Sequence, residues 1–473
     1  MNSSYQNGYA TVLTAVLFSV LSLSILAMFN SGQIVTHKLK LQNAVDAAAY
    51  SSAVVVSREL NYMAYTNRAM VANQVMVGQV VGMVSWIKMM KESSENLEYV
   101  GDIVSIIPIV GTIINGYLQG LSAVSDAADT LVSDWVAGLV VPWTNTVIRA
   151  LSTSQYTVHQ ATQALILATF PKVLRDNDPD AVMAAIGGAN LLALGKFKNE
   201  VDGFSKQTTE ARPSSEHLGQ YDNFAQVVMD SRDNFTDGRS YNWMSATLPY
   251  VVKMWIHKRG GNEFERKQQD GKYVWEWSAM DTVSLWTQWY NPTKLRWGSK
   301  RETLPIGWGA GYTSNESGAY DNFNSSIKWD RARKNRIAGE FAEQNYGDEK
   351  VGGTSGLQRF YYMEGATPPA FIAFVAKDSG SVRTWKETVN SNGGQISSKF
   401  DIEENGSLRG GKMYSLAKSE PYFSRSHDLA EFKRDDQPVA YVEYANLMNP
   451  YWQARLTPLT TAERNAVLLA LPD

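Results

Sequence analysis

Gly8 to Ala53 reads GYATVLTAVLFSVLSLSILAMFNSGQIVTHKLKLQNAVDAAAYSSA, and this stretch decides the architecture. No Asp, Glu, Lys or Arg occurs from Met1 to Thr36. As a helix, Tyr9–Ile34 would reach about 39 Å at 1.5 Å per residue, enough to cross a hydrocarbon core of about 30 Å with tilt. Between Val12 and Phe29 the polar groups are Thr14, Ser19, Ser22 and Ser24. Each hydroxyl can bond back to a carbonyl one turn earlier, which lipid tolerates. A cleavable signal peptide would need a basic leader and a short apolar run. MNSSYQNGY has no basic side chain, and the run is too long. A core helix would rarely lack charge over such a length. The stretch is therefore read as a membrane anchor, residues 1–36. His37, Lys38 and Lys40 follow it, and the positive-inside rule alone would leave the C-terminal side in the cytoplasm.

Beyond the anchor, Ala47, Ala48 and Ala49 favour helix, and Ala44, Ala48, Ser51 and Ser52 place small side chains on one face. Gly8, the apolar span and then Gln42, Asn43, Ala44, Asp46, Ala47, Ala48 and Ala49 resemble the N-terminal region of TadG-like proteins of the Tad (tight adherence, Flp pilus) assembly system. A weaker resemblance covers Ala417–Phe423 and Asn446–Leu456, which look like the closing segment of such envelope proteins. The resemblance implies a bacterial inner-membrane protein with its bulk in the periplasm and a part in building or anchoring a pilus. Two features depart from related patterns. Subunits cut by a prepilin peptidase carry Glu five residues after the cleavage glycine, and Leu13 stands there. The von Willebrand A metal motif of some larger TadG-like proteins fails here, because Gly380 occupies a serine position in Asp378-Ser379-Gly380-Ser381. An unprocessed anchor is expected. An extracellular minor pilin or adhesin, with the helix in a filament core, is the alternative.

Residues 37–205 are read as a helical segment. Met63, Met70, Val77 and Val84 recur every seven residues, with Met76, Met83 and Met90 as an adjacent row. Such a stripe buries against a partner, either within the chain or on another anchored protein. Ile103–Ser125 is uncharged but broken by Pro108, Gly111, Gly116 and Gly120, so it is read as a buried turn and helix rather than a second span. The acidic run at Asp176–Asp180 should end a helix.

The distal part, 206–473, differs in composition. Residues 1–200 hold 24 of the 91 charged side chains, and 11 of the 14 tryptophans lie beyond them. Strand character appears in Tyr250–Ile256, Lys272–Trp277, Thr282–Trp289, Gln358–Met363, Phe371–Ala376, Met413–Leu416 and Pro438–Tyr444. Arg259-Gly260-Gly261-Asn262 and Asn392-Gly393-Gly394 read as turns, and Gly307-Trp308-Gly309-Ala310-Gly311 as a flexible aromatic loop. The expected fold is α+β: a transmembrane helix continuing into a long helical segment, then an α+β domain with a mainly antiparallel sheet.

Chemistry is sparse. The chain has no cysteine, which excludes disulfides, thiolate metal sites and cysteine nucleophiles. No phosphate loop, HExxH, GxSxG or EF-hand pattern occurs. His217, His257 and His427 are scattered, and the carboxylate pairs Glu263/Glu265, Glu403/Glu404 and Asp435/Asp436 are what 47 acidic residues produce by chance. A net charge of −3 argues against nucleic acid. Tryptophan enrichment suits a sheet core better than sugar stacking. No catalytic, metal or cofactor residue is assigned. The expected partners are inner-membrane lipid and other pilus-assembly or pseudopilin-like proteins, and a homo-oligomer is one arrangement such contacts allow.

Overall fold

The computed structural model describes residues 7–96, 138–183, 189–208, 218–269, 272–314, 335–345, 350–354, 356–378, 381–382, 412–425, 431–432, 441–442 and 444–469. Ile103–Ser125, His217, His427, Glu403/Glu404 and Asp435/Asp436 lie outside them. The helices are α1 (Asn7–Glu95), α2 (Val141–Asn177), α3 (Ala189–Phe204), α4 (Leu218–Asp230), α5 (Asn234–Asp237), α6 (Arg336–Asn345) and α7 (Thr461–Leu469). The strands are β1 (Ala181–Met183), β2 (Ser205–Gln207), β3 (Tyr241–Leu248), β4 (Val252–Gln269), β5 (Lys272–Asn291), β6 (Arg296–Trp297), β7 (Arg301–Ser314), β8 (Tyr361–Met363), β9 (Phe371–Asp378), β10 (Lys412–Phe423), β11 (Glu431–Phe432), β12 (Tyr441–Val442) and β13 (Trp452–Leu456). The long apolar helix thus continues directly into further helix, and the strands that follow pair antiparallel, as expected from sequence.

The chain forms two compact units, each discontinuous in sequence. Unit one comprises Met1–Ala64, Thr157–Lys206 and Met363–Asp473, and unit two comprises Tyr65–Tyr156 and Gln207–Tyr362. Unit one holds an antiparallel sheet of order β1-β9-β10-β13. Strand β10 alternates half-buried and buried residues, the period-two pattern of a sheet with one covered face. Its buried set is Met413, Ser415, Ala417, Ser419 and Pro421, with small side chains at 415, 417 and 419. Ser419 Oγ donates to the carbonyl of Ala49 on α1, 2.7 Å away. Phe371 on β9 packs edge-on to Phe170 of α2 and tilted against Phe197 of α3, both centroids 5.2 Å away.

Unit two is built on the sheet β3-β4-β5-β6, with β7 also pairing β5. β4 and β5 form one long antiparallel ladder from Val252↔Trp289 to Gln269↔Lys272. Arg259-Gly260-Gly261-Asn262 lies within that ladder rather than in a turn. Gly307–Gly311 likewise lies in strand β7, opposite Val283–Ala279, and is not a loop. Both corrections have a steric cause. A Cβ on Gly260 would meet the Asp281 carboxylate and, at 2.6 Å, Lys258 Nζ. A Cβ on Gly307 would meet Ser93 and, at 2.6 Å, the carbonyl of Met89, so α1 lies directly on β7. Gly78 of α1 receives the Trp277 ring in the same way, 2.8 Å from where a Cβ would sit. The glycines mark close approach between elements, and a turn is only one of the reasons a strand carries glycine. Below the helix, Met89 and Met90 join Val252, Met254, Ile256, Val283 and Ile306 in one apolar cluster.

Candidate functional site

Among the described residues, helix α1 carries the most distinctive surface. From Tyr9 to Phe29 its apolar side chains are bare except Leu26 and Ala27, which are half-buried: Tyr9 is 82% exposed and Phe18 72%. The most apolar window of the helix has a mean hydropathy of 2.5 and no buried residue. Three of the four hydroxyls that interrupt it are satisfied locally. Thr14 donates to the Ala10 carbonyl (2.9 Å), Ser19 to Ala15 (2.8 Å) and Ser24 to Val20 (2.8 Å). The surface that remains is hydrocarbon with no unmet side-chain donor at those three positions. Leu, Ile, Phe and Val side chains each favour lipid insertion by roughly 0.3–0.6 kcal/mol, so a run of them such as Val12–Phe29 is favoured by several kcal/mol in total.

Below this stretch, α1 docks within unit one. Gln42 donates to Asp46 Oδ1 (2.9 Å) and to the Leu416 carbonyl of β10 (2.8 Å). Ala44, Val45, Ala48 and Ala49 are fully buried, Asp46 and Ala47 are half-buried, and Asn43 faces solvent. Gly8 lies in the first turn of α1. This chain's own strand β10 meets the motif at Gln42 and at Ala49, whose carbonyl accepts from Ser419. Asn61, three turns further, exchanges two hydrogen bonds with the backbone of Trp452 on β13, at 2.8 and 2.9 Å. The two C-terminal segments singled out in the sequence are thus paired strands, Ser419↔Leu456 to Phe423↔Trp452, seated beside the N-terminal motif.

The basic flank of the apolar stretch is also engaged. Lys38 Nζ donates to the Tyr414 carbonyl, and Lys40 lies 3.7 Å from Asp178. Asp178 and Lys377 are both fully buried and pair at 2.8 Å, with Asp180 3.2 Å from the same ammonium. The acidic run that ends α2 thus supplies the counter-ions of β9.

A second buried group links three helices of unit one and had no signal in the sequence. His159 of α2 bonds Glu59 of α1 through Nδ1 and Asp202 of α3 through Nε2, the latter at 2.9 Å. Burial raises the Glu59 carboxyl above its usual range, against the pull of His159. Burial alone would lower His159, but the hydrogen bond and charge of Glu59, with Asp202, outweigh it and raise the imidazole above 6.5. Both shifts favour the protonated fold. The share from His159 is fully present below its ordinary value of 6.5 and is lost as pH rises through the raised value, whereas the share from Glu59 is full only below the ordinary carboxyl value of 4.5 and is lost through its own raised value. We expect unit one to resist urea less as pH climbs through that window, and His159→Gln to flatten the dependence. Pulse proteolysis across pH measures it, and an unchanged profile in the variant would count against this role.

The methionine stripe is distributed over both units. Met63 is fully buried in unit one; Met70 and Met90 are buried in unit two, Met83 is half-buried and Met76 is 37% exposed. Met90 meets strands rather than a helix. Of the chemical candidates, Glu263 and Glu265 lie two apart on β4, opposite Ser278 and Glu276. His257 is held neutral, pushed down to about 4 by burial, Lys300 and Arg259. Asp378 ends strand β9 and accepts, at its carbonyl, the Ser381 hydroxyl (2.7 Å).

The centre of unit two is a buried ion cluster. Asp281 of β5 is fully buried and accepts from Arg239 Nε (2.9 Å) and Nη2 (2.7 Å), from Ser85 Oγ of α1 (2.8 Å) and from Lys258 of β4. Arg239 also reaches Asn262 Oδ1 (2.6 Å). Burial opposes the Asp281 charge, but Arg239 and Lys258 outweigh it and keep the carboxyl below its ordinary range. Burial pulls Lys258 down to about 8, so it is the labile member. Asp233 caps α5 by accepting the Thr236 amide (2.7 Å), which fixes the turn that delivers Arg239.

Residues 8–55 match a family model described as "Putative Flp pilus-assembly TadE/G-like". The matched stretch contains the bare apolar run and the alanine face seated on β10. No curated protein and no solved structure matches the chain.

Proposed function

From a TadE/G-like segment, whose match supports involvement in Flp pilus assembly, we propose that this chain is a non-enzymatic, TadG-like component of the Tad/Flp machine, held in the bacterial inner membrane by one helix and acting in the periplasm through protein–protein contacts. The observation that carries this reading is a coincidence of position. The matched residues are those whose apolar side chains stand bare at Tyr9–Phe29, on a helix long enough to span a bilayer. The basic residues that would argue for a cytoplasmic bulk, Lys38 and Lys40, are paired in the fold with the Tyr414 carbonyl and Asp178.

The minor-pilin reading makes a different use of the same bare helix, as packing in a filament core. N-terminal sequencing separates the two. A chain retaining Met1 supports the anchor, and one beginning at Tyr9 supports the filament subunit. The function itself is tested by deletion: loss of assembled surface pili, restored by the intact chain but not by one lacking residues 9–29, is the expected result. Pili unaffected by deletion would overturn it.

A further inference from the structure

Two non-glycine residues among those described adopt positive φ, Tyr250 (59°) and Leu295 (48°). A left-handed backbone disfavours both side chains and would be relieved by glycine. Both are instead large, apolar and bare, 76% and 78% exposed. They sit at one end of the unit-two sheet. Tyr250 lies in the β3–β4 connection, and Leu295 lies in the turn from β5 to β6. The Tyr290 amide donates to the Val251 carbonyl (2.9 Å), and the Tyr250 and Tyr290 rings meet edge-on at 5.6 Å. Tyr290 in turn meets Trp297 of β6 at 5.3 Å. Val251 and Trp289 beside them are about half exposed.

The two segments that form this tip carry charge of one sign. Segments 238–262 and 282–301 contain no Asp or Glu. Their Arg239 and Lys258 are turned inward onto Asp281. Lys294, Arg296, Lys300 and Arg301 are exposed. Lys253 lies over the Trp297 ring (4.5 Å) and Lys300 over Trp255 (4.2 Å), so the cations flank the aromatic end of the sheet.

We propose that this tip is a docking surface for an anionic phospholipid bilayer, a second membrane contact beyond the N-terminal anchor. Tyr250 and Leu295 enter the headgroup–acyl boundary while Lys294 and Arg296 pair with phosphates. Aromatic and aliphatic side chains on projecting turns, ringed by cations, suit an interface that is apolar inside and negative at its surface.

The cysteine-free chain allows a direct test. The full chain is placed in phosphatidylcholine nanodiscs with an environment-sensitive fluorophore on Thr293→Cys, in the tip turn, or on Asn223→Cys, exposed on α4. Phosphatidylglycerol is then supplied either in the disc or as added vesicles, which distinguishes the chain's own membrane from an apposed one. The expected result is a severalfold, blue-shifted rise at residue 293 in one arm, none at 223 and none with phosphatidylcholine alone. High salt, Lys294→Glu with Arg296→Glu, or Tyr250→Ser with Leu295→Ser should abolish it, with circular dichroism unchanged. No rise at 293 in either arm, or an equal rise with phosphatidylcholine, would overturn the proposal.

Discussion

Asp281→Ala is expected to unfold unit two. The carboxylate is the counter-charge for the Arg239 guanidinium and the Lys258 ammonium, both buried, and it also receives Ser85 of α1. Removing one partner of a buried ion pair costs about 3–5 kcal/mol because the remaining charge has no compensation. Here two cations would be stranded together. Lys258, already lowered to about 8, can shed its proton, but Arg239 cannot. A loss of about 5 kcal/mol approaches the whole stability of a typical domain. Lys258→Met is the contrast: it removes the labile cation and leaves the Asp281–Arg239 fork intact, so its cost should be about 1 kcal/mol or less, since apolar replacement of buried ions is often near neutral. Tryptophan emission during urea unfolding reads this, because most tryptophans fall in unit two. Equal midpoints for the two variants would refute the assignment.

Gly309→Val should follow closely. A Cβ there would collide with the Ser85 carbonyl and the Met89 amide of α1 and come within 2.9 Å of Lys88 Cβ. Backbone atoms cannot swing aside as a side-chain end can. Relief requires α1 to lift from β7, which breaks the Ser85–Asp281 bond and opens the Met89–Met90 cluster. Overpacking of this kind costs about 1–3 kcal/mol, and more when backbone must move. Gly339 of α6 is the control, since a Cβ there meets nothing within 4 Å. Gly339→Ala should stabilise unit two by about 0.5–1 kcal/mol through helix propensity. A thermal midpoint for Gly309→Val equal to that of the unaltered chain would exclude the close helix–strand contact.

The long apolar helix and the motif were legible because they are local. An uncharged apolar run and alanines at helical spacing carry their reading within one helix. The strands at Lys272–Trp277 and Phe371–Ala376 were legible from alternation and β-branched or aromatic content. What was not legible depends on distant pairs. Glu59, His159 and Asp202 are far apart in the chain and come together only when α1, α2 and α3 pack. The same holds for Asp178 with Lys377 and for Asp281 with Arg239. Gly260 and Gly307 misled because a glycine needed for room beneath a neighbour looks in sequence like a glycine needed for a turn. A linear division at residues 205 and 206 likewise follows chain order, whereas each compact unit interleaves α1 and α2 with strands from later in the chain.

On the proposed topology, Tyr9–Ile34 crosses the inner membrane once and everything after it lies in the periplasm. Alkaline phosphatase fused to the C-terminus after Asp473, in cells where the intact fusion is detected, tests it most directly. High phosphatase activity is expected, abolished when residues 9–29 are deleted. An inactive phosphatase fusion, paired with a fluorescent cytoplasmic reporter at the same position, would contradict it.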